Sequence, residues 1–224
     1  VPIGLVLKMV IGGTDKFLRI GDNPIKIKKT KVKNFRLNKE QLDALKFLEK
    51  VNNKFDVSVL QGTTGSGKTL VYFERIKKII EKNQQVLVLL PEIFLTNEFK
   101  SRFEDFFGFE PSIWHSKITP KQKRMIWKGL IKNKIKILVG ARSALLLPFK
   151  KLGLIIVDEE HDNSYKQDEG VIYNARDMAI SRAQFENIPI HLVTSVPSIE
   201  TFKNIQIKKY RPVSYTHLTL PTNC

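Results

Sequence analysis

From residue 38 onward, short apolar runs alternate with longer stretches whose apolar side chains recur at helical spacing. Apolar runs of this length are typical of strands buried on both faces, and the longer stretches are typical of amphipathic helices. The predicted strands are Val57–Leu60, Val86–Leu90, Ile135–Val139, Leu154–Val157 and Ile190–Val193. The predicted helices lie near Lys68–Lys82, Leu95–Phe107, Pro120–Lys132 and Ala175–Phe185. This alternation predicts an α/β fold, a parallel sheet with helices on both faces.

A further helix is predicted ahead of the first strand. Asn38 is a good N-cap residue, and Gln41, three residues later, completes the pattern of a capping box. Leu42, Leu45 and Leu48 give this helix an apolar face. By contrast, residues 1–36 carry short apolar pieces, glycine turns and a basic run, which indicates a connector.

Composition narrows the class of protein. The net charge of +16 and the pI of about 9.8 suit a nucleic-acid partner, although abundant lysine also follows from an AT-rich coding sequence. The single cysteine, Cys224, excludes an internal disulfide and a thiolate metal site. No apolar stretch is long enough to cross a bilayer, and the first residues do not resemble a signal peptide. We therefore expect a cytoplasmic location and no membrane partner.

A phosphate loop follows the first predicted strand. It consists of Gly62, Thr63, Thr64, Gly65, Ser66, Gly67, Lys68 and Thr69. Glycines let successive backbone amides point at phosphate oxygens, Lys68 adds positive charge, and the Thr69 hydroxyl is a ligand for Mg²⁺. The motif lies between a predicted strand and a predicted helix, as its mechanism requires. We expect it to bind ATP with Mg²⁺.

An acidic turn follows the fourth predicted strand, where the sequence reads Asp158-Glu159-Glu160-His161. Carboxylates at the carboxyl edge of such a sheet lie where α/β folds bind their ligands. Asp158 is the second candidate Mg²⁺ ligand beside Thr69, and Glu159 is placed to orient and deprotonate water. Lys68, Asp158 and Glu159 are therefore the predicted catalytic residues.

Longer strings of sequence resemble one helicase family. They are Gly62–Thr69, Pro91–Thr96, Gly140–Leu145, Val157–Asp177 and Pro197–Glu200. In order and spacing they are similar to the primosomal protein N-prime family, the replication-restart helicases of superfamily two with an Asp-Glu-x-His box. The resemblance runs from about residue 35 to about residue 211. It implies a RecA-like P-loop NTPase domain and an ATP-dependent DNA helicase acting in primosome assembly.

The resemblance also implies roles for residues outside the two nucleotide motifs. Gln41 is similar to the family's adenine-reading glutamine, and His161 to the histidine that links the acidic box to the DNA-side loops. The predicted DNA-binding residues are Pro91, Thr96, Arg142, Ser143, Tyr165, Lys166, Tyr173 and Arg176, the last four in the family's aromatic-rich loop. For Tyr165 and Tyr173, half-buried packing against the sheet stays open as an alternative. Forked or single-stranded DNA, primosome proteins and single-strand-binding protein are the implied partners.

The sequence departs from the family at several points. Thr194-Ser195-Val196-Pro197 stands where the family has a Ser-Ala-Thr-Pro-like segment, so a valine replaces the threonine that couples hydrolysis to movement. The second RecA-like domain with its arginine finger is not in this sequence. Zinc is expected in the full-length family, but its cysteine ligands are also absent here.

These departures predict a fragment with three parts. Residues 1–36 are a connector or a remnant of an N-terminal DNA-binding region, and residues 37–211 are the first RecA-like domain. Residues 212–224 are a non-native or disordered tail. Two alternatives stay open, namely another superfamily-two translocase and, for the isolated chain, a nucleotide-binding module that unwinds nothing.

Overall fold

The computed structural model describes residue 33 and residues 35–50, 54–168 and 172–215, with the backbone alone for 214 and 215. The helices are α1 (Lys39–Glu49), α2 (Lys68–Glu81), α3 (Asn97–Phe107), α4 (Pro120–Ile131), α5 (Ala175–Phe185) and α6 (Ile199–Gln206). The strands are β1 (Asp56–Gly62), β2 (Gln85–Leu89), β3 (Ser112–Trp114), β4 (Ile137–Gly140), β5 (Leu152–Val157), β6 (Lys166–Gln167), β7 (Tyr173–Asn174), β8 (Pro189–Thr194) and β9 (Arg211–Tyr215). Short 3-10 helices at Glu92–Phe94, Arg142–Leu146 and Asn163–Tyr165 follow three of the strands.

Seven of the strands form one parallel sheet in the order β3-β4-β2-β5-β8-β1-β9. Every strand of a parallel sheet starts at one edge and ends at the other, so the loops after β1, β2, β4, β5 and β8 share the carboxyl edge. Strands β6 and β7 form a separate antiparallel hairpin between β5 and α5. The sheet therefore brings distant sequence motifs to a single edge.

Each face of the sheet has its own apolar core. On one face, Tyr72, Phe73, Ile76 and neighbouring side chains of α2 pack with α1 and α3 against the sheet. On the other face, Leu130 of α4 and three alanines of α5 pack against it. Central strands such as β5 are buried at every position, because helices cover them on both sides. The predicted α/β architecture is confirmed.

The predicted elements are present with small shifts at their ends. The capping box of α1 forms, since the Asn38 side chain accepts from the Gln41 backbone and the Gln41 side chain accepts from Asn38. Helix α3 begins at Asn97 rather than Leu95, because the Thr96 side chain accepts the Phe99 amide as its N-cap. The sequence pattern did not predict β3, α6 or β9, which are short or lie at an edge of the sheet.

The expectation that residues 212–224 lie outside the fold is wrong for 212–215. Strand β9 pairs with β1, and Val213 is 9% exposed against the second core. Alternation in this segment was weak, but edge pairing needs only backbone donors and acceptors. Residues 216–224 and the connector assigned to residues 1–36, apart from residues 33, 35 and 36, lie outside the described residues. No helix among the described residues is long and apolar enough to cross a membrane.

Candidate functional site

The phosphate loop joins the end of β1 to the start of α2. Gly65 and Gly67 have φ angles of 81° and 82°, a region that side chains with a Cβ rarely adopt. A Cβ on Gly67 would also lie 2.4 Å from the Gln41 side-chain nitrogen. Glycine is thus required at position 67 both for the backbone conformation and for the close approach of Gln41.

Two polar side chains of this loop are arranged for an anion. The Lys68 ammonium donates to the carbonyl oxygens of Gly62, at 2.7 Å, and Thr63, at 3.1 Å. Burial lowers the pKa of Lys68, and the nearby carboxylates of Glu159 and Asp158 act in the opposite direction. The Ser66 hydroxyl is buried and has no hydrogen-bond partner in the described structure. An orphaned hydroxyl beside a folded-back ammonium fits a loop that receives phosphate oxygens.

Gln41 is fixed against this loop from α1. Its carbonyl oxygen accepts the Asn38 amide at 3.0 Å, and its nitrogen donates to the Ser66 carbonyl at 3.0 Å. The side chain is buried in this position. Gln41 is therefore both a capping-box partner and a contact of the phosphate loop, and adenine reading stays a prediction.

Asp158 lies at the end of β5, buried beside α2. Its carboxylate accepts the Tyr72 hydroxyl at 2.8 Å and the Glu159 amide at 3.0 Å. The Thr69 side chain lies beside the same Tyr72 hydroxyl and acts to lower its pKa, against the burial that raises it. Burial raises the pKa of Asp158 to about 6, partly offset by the Tyr72 hydrogen bond. One phenol thus connects the two predicted Mg²⁺ ligands.

Glu159 follows in an unusual backbone conformation with φ of 48°. Its carboxylate lies 3.6 Å from His161 Nδ1, and that nitrogen lies 2.8 Å from the Thr194 hydroxyl. Because the Thr194 hydroxyl donates to the Val196 carbonyl, it accepts from His161, which places the proton of His161 on Nδ1. Thr194, rather than the exposed Val196 side chain, links the acidic box to the segment after β8.

The Glu160 side chain lies in a buried network. Its carboxylate accepts the Ser198 amide at 2.7 Å, the Ser198 hydroxyl at 3.0 Å and the Thr201 hydroxyl at 2.9 Å. It also pairs with Arg176 at 3.2 Å, with both side chains almost fully buried. The network ties the acidic box to the starts of α5 and α6.

The predicted DNA-side loops meet at the carboxyl edge. Pro91 and Thr96 flank the turn after β2, and Thr96 caps α3. After β4, Arg142 donates to the Lys166 carbonyl of the hairpin, and the Ser143 hydroxyl accepts the Trp114 indole N–H at 3.1 Å. Lys166 is exposed. These five positions remain predicted DNA contacts.

Two predicted DNA contacts are corrected by their surroundings. Tyr165 is 1% exposed, and its hydroxyl donates to the carbonyls of Asp158 and Leu89, so its ring offers no stacking face. Arg176 is 5% exposed, and Glu160 and Asp177 hold its guanidinium. The sequence places Tyr165 and Arg176 near the acidic box, but it does not tell whether their side chains point to solvent or into the core. Tyr173 is half-buried and stays a prediction.

Sequence reasoning also missed two residues of the site. Tyr72 lies three residues after Thr69, one helical turn along α2, and this spacing could have placed it beside the acidic box. Glu160 carried no signal beyond its place in the box. Its partners at 176, 198 and 201 are too distant in sequence to have been found without the fold.

Several known proteins are similar to this chain over most of its length. A family model described as "Type III restriction enzyme, res subunit" matches residues 34–205. The replication restart protein PriA of Rickettsia felis is 45% identical and covers 98% of this chain. PriA of Haemophilus influenzae is 42% identical over 86% of the chain. This chain spans 34% and 26% of those relatives, respectively.

Similarity of fold extends to solved helicase structures. The crystal structure of the DUF1998 helicase MrfA bound to DNA superposes with a TM-score of 0.55, at 19% identity. The superposition covers 80% of this chain and 27% of that one, and it supports the RecA-like fold. The chain therefore belongs to the family described by the type III restriction enzyme res-subunit model, and within it to the PriA replication restart proteins.

Proposed function

We propose that this chain is the first ATP-binding motor domain of a replication-restart DNA helicase. In this role it binds ATP and Mg²⁺ on Gly62–Thr69 and hydrolyses ATP through Asp158 and Glu159. The extent of identity with PriA relatives favours this assignment over another superfamily-two translocase, since it covers 98% of the chain for one of them. The nucleotide site carries the proposal, because family similarity alone does not say what each residue does.

The observation that carries the proposal is that the two motifs meet at Tyr72, which donates a hydrogen bond to Asp158 and lies beside Thr69. The phosphate loop and the acidic box lie 89 residues apart at their nearest ends, Thr69 and Asp158. The fold brings both side chains to one buried hydroxyl, that of Tyr72. Lys68 is close enough to Glu159 for the carboxylate charge to raise the lysine pKa. An acidic residue, a hydroxyl and an ammonium at the end of a phosphate loop are the groups that phosphoryl transfer to water requires.

Each residue then has a distinct task. The amides of the loop and Lys68 hold the phosphates, and Glu159 orients the attacking water and accepts its proton. Thr69 and Asp158 would hold Mg²⁺, which, when bound, neutralises charge on the phosphate oxygens. Asp158 is pre-positioned by Tyr72 and by the Glu159 amide, so little rearrangement of its carboxylate is needed.

DNA is the proposed substrate along the carboxyl edge. Arg142 and Lys166 offer cationic groups, and Ser143 and Thr96 offer hydroxyls. Such groups suit contacts to the DNA backbone that do not read sequence. Pro91 lies at the start of the turn that ends at Thr96. The DNA-bound state of the MrfA structure supports DNA as the ligand of this fold. We extend the proposal to primosome proteins and single-strand-binding protein as partners, and to the cytoplasm as the place of action.

Calorimetry with ATP and Mg²⁺ tests the nucleotide site. Lys68→Ala should weaken binding at least tenfold, because it removes the ammonium that meets the phosphates. Lys77→Ala, on the exposed side of the same helix, is the matched control and should bind as the wild type does. Equal affinities in all three proteins would refute the phosphate-loop assignment. Steady-state ATP hydrolysis with and without single-stranded DNA then tests coupling.

A further inference from the structure

The amino edge of the sheet, opposite the nucleotide site, carries a dense group of lysines. Strands β4, β2 and β5 are neighbours in the sheet, and the segments that enter them are 131–136, 82–85 and 149–151. These segments contain no aspartate or glutamate. We define the lysine patch as Lys82, Lys134, Lys136, Lys150 and Lys151. Neighbouring strands lie about 4.8 Å apart, so the three entrances fall within roughly 10 Å of one another.

The patch lies far from the nucleotide site. Strand β5 runs from Leu152, beside the patch, to Val157, beside Asp158. At about 3.3 Å per residue, the two edges are separated by roughly 20 Å. No residue predicted to contact DNA or nucleotide lies on the amino edge. The patch is therefore a surface that the proposed motor function does not use.

Charge in the patch is not neutralised by neighbouring side chains. Among the described residues, none of its five lysines forms an ion pair with a carboxylate. Four of them are exposed and Lys136 is half-buried, with its ammonium donating to the Asn83 side chain. Burial and the charge of Lys151 lower the pKa of Lys136, so the two ammonium groups interact across β2.

A buried glutamine holds the lysine-bearing segments in place. The Gln85 nitrogen donates to the carbonyls of Leu130, at 3.0 Å, and Ile135, at 2.8 Å. Its oxygen accepts the amides of Lys150, at 2.8 Å, and Lys151, at 2.9 Å. All four hydrogen bonds of this amide are therefore used to fix the entrances of β4 and β5. A rigid backbone that carries several positive charges is suited to binding a polyanion, because binding then costs little conformational entropy of the protein backbone.

An exposed aromatic side chain borders the patch. Phe185, at the end of α5, is 90% exposed. One turn earlier, Arg182 donates to the Leu147 carbonyl at 3.0 Å and lies over the Phe149 ring at 5.2 Å. Phe149 precedes Lys150, so these contacts fix the end of α5 beside the lysine-bearing loop. An open ring next to several cations is the combination that holds unpaired bases and phosphates together.

We propose that the lysine patch and Phe185 form a second binding surface for single-stranded DNA, on the edge opposite the ATP site. The lysines contact successive phosphates, and the Phe185 ring stacks on a base without reading sequence. This surface rests on the proposed function only in taking DNA as the ligand. This second surface binds a segment of single-stranded DNA that the loops at the carboxyl edge do not contact.

Fluorescence anisotropy of a labelled oligothymidine, measured across a salt series without nucleotide, tests the patch. The patch variant replaces Lys82, Lys134, Lys136, Lys150 and Lys151 by Gln. The control variant replaces Lys39, Lys46, Lys203, Lys208 and Lys209 by Gln and has the same formal net charge, +11 in place of +16. We expect at least tenfold weaker binding for the patch variant and a change within about threefold for the control. Since each phosphate contributes about 0.7 to the salt slope of single strands, the slope should fall by about 2 to 3.5 in the patch variant.

Phe185→Ala tests the stacking contact, with Phe202→Ala on exposed α6 as its control. Stacking is worth about 1–3 kcal/mol per base, so Phe185→Ala should weaken binding at least fivefold. Equal losses in the two lysine variants, or no loss in either, would overturn the proposal. Calorimetry with ATP and Mg²⁺ should give wild-type affinity in the patch variant, which shows that it is folded. If the proposed ATP site were wrong, the wild type would also fail to bind ATP in calorimetry. The anisotropy comparison contains no nucleotide, so it would still test the DNA surface.

Discussion

Replacing Glu160 by Gln should destabilise the fold strongly, whereas the same replacement at Glu159 should leave it nearly unchanged. The Glu160 side chain is fully buried, and the side chain of its partner Arg176 is 6% exposed. Removing one partner of a buried ion pair costs about 3–5 kcal/mol, because the other charge stays buried without compensation. Glutamine keeps one acceptor oxygen for Ser198 or Thr201, so we expect the lower end, about 3 kcal/mol. For a domain of this size that corresponds to a fall in Tm of roughly 6–12 °C.

Urea denaturation followed by circular dichroism measures the difference. Glu159→Gln changes the adjacent carboxylate in the same way, but the Glu159 side chain is 25% exposed. It faces His161 and the Lys68 ammonium rather than a buried arginine. It should therefore lose less than about 1 kcal/mol of stability while losing ATP hydrolysis. A pair of neighbouring glutamates would then separate into one that maintains the fold and one that acts on water.

A double-mutant cycle refines the test. Glu160→Met combined with Arg176→Met removes both charges and should cost less than the sum of the single changes by about 2 kcal/mol or more. Additive losses would show that the two residues do not stabilise each other. A loss below about 1 kcal/mol for Glu160→Gln alone would refute the view that the network anchors the acidic box.

Three further predictions concern His191, Gly67 and Tyr72. Burial, followed by the charge of Arg75, lowers the pKa of His191 to about 3. Near pH 6.5 the imidazole of His191 is protonated in the unfolded chain but stays neutral in the folded one. The free energy of unfolding therefore falls as the pH drops below that value. Between pH 7 and pH 5 the wild type should lose about 2 kcal/mol more than His191→Leu in urea titrations; parallel curves would contradict this. Gly67→Ala should weaken ATP binding in calorimetry and cost about 1–2 kcal/mol of stability, since the backbone there is left-handed and Gln41 is in contact; unchanged affinity would count against it. Tyr72→Phe should lower stability by about 1.5–3 kcal/mol through loss of the bond to Asp158, and a thermal melt equal to that of the wild type would argue against it.

The position of the proposed nucleotide site in the fold could be predicted because its motifs are local in sequence. A phosphate loop needs glycines, lysine and threonine at fixed spacing, and Gly62–Thr69 has them in order. Likewise, Asp158 and Glu159 follow an apolar strand, so their place at the carboxyl edge follows from strand direction alone. The capping role of Gln41 was equally local, and the structure adds its contact with Ser66.

The parts of the site that the sequence did not predict depend on whether side chains point into the core or to solvent. Tyr165 and Arg176 belong to a segment with the composition of a DNA-binding loop, yet both side chains turn inward. Their orientation depends on tertiary partners such as Leu89 and Glu160, which no local pattern specifies. Strand β9 was missed for a similar reason, because its order comes from backbone pairing with β1 rather than from apolar alternation.

The left-handed backbone at Glu159 has a consequence for engineering this protein. Three of the five non-glycine residues with positive φ in the described chain are asparagines, which tolerate that conformation. Glutamate does not, so residue 159 holds on the order of 1 kcal/mol of strain that glycine or asparagine would relieve. Selection for thermal stability alone would favour replacing the residue that we propose to activate water. Screens for robust variants of such motors should therefore include turnover at every round, since the most stable sequences will be enriched in inactive ones.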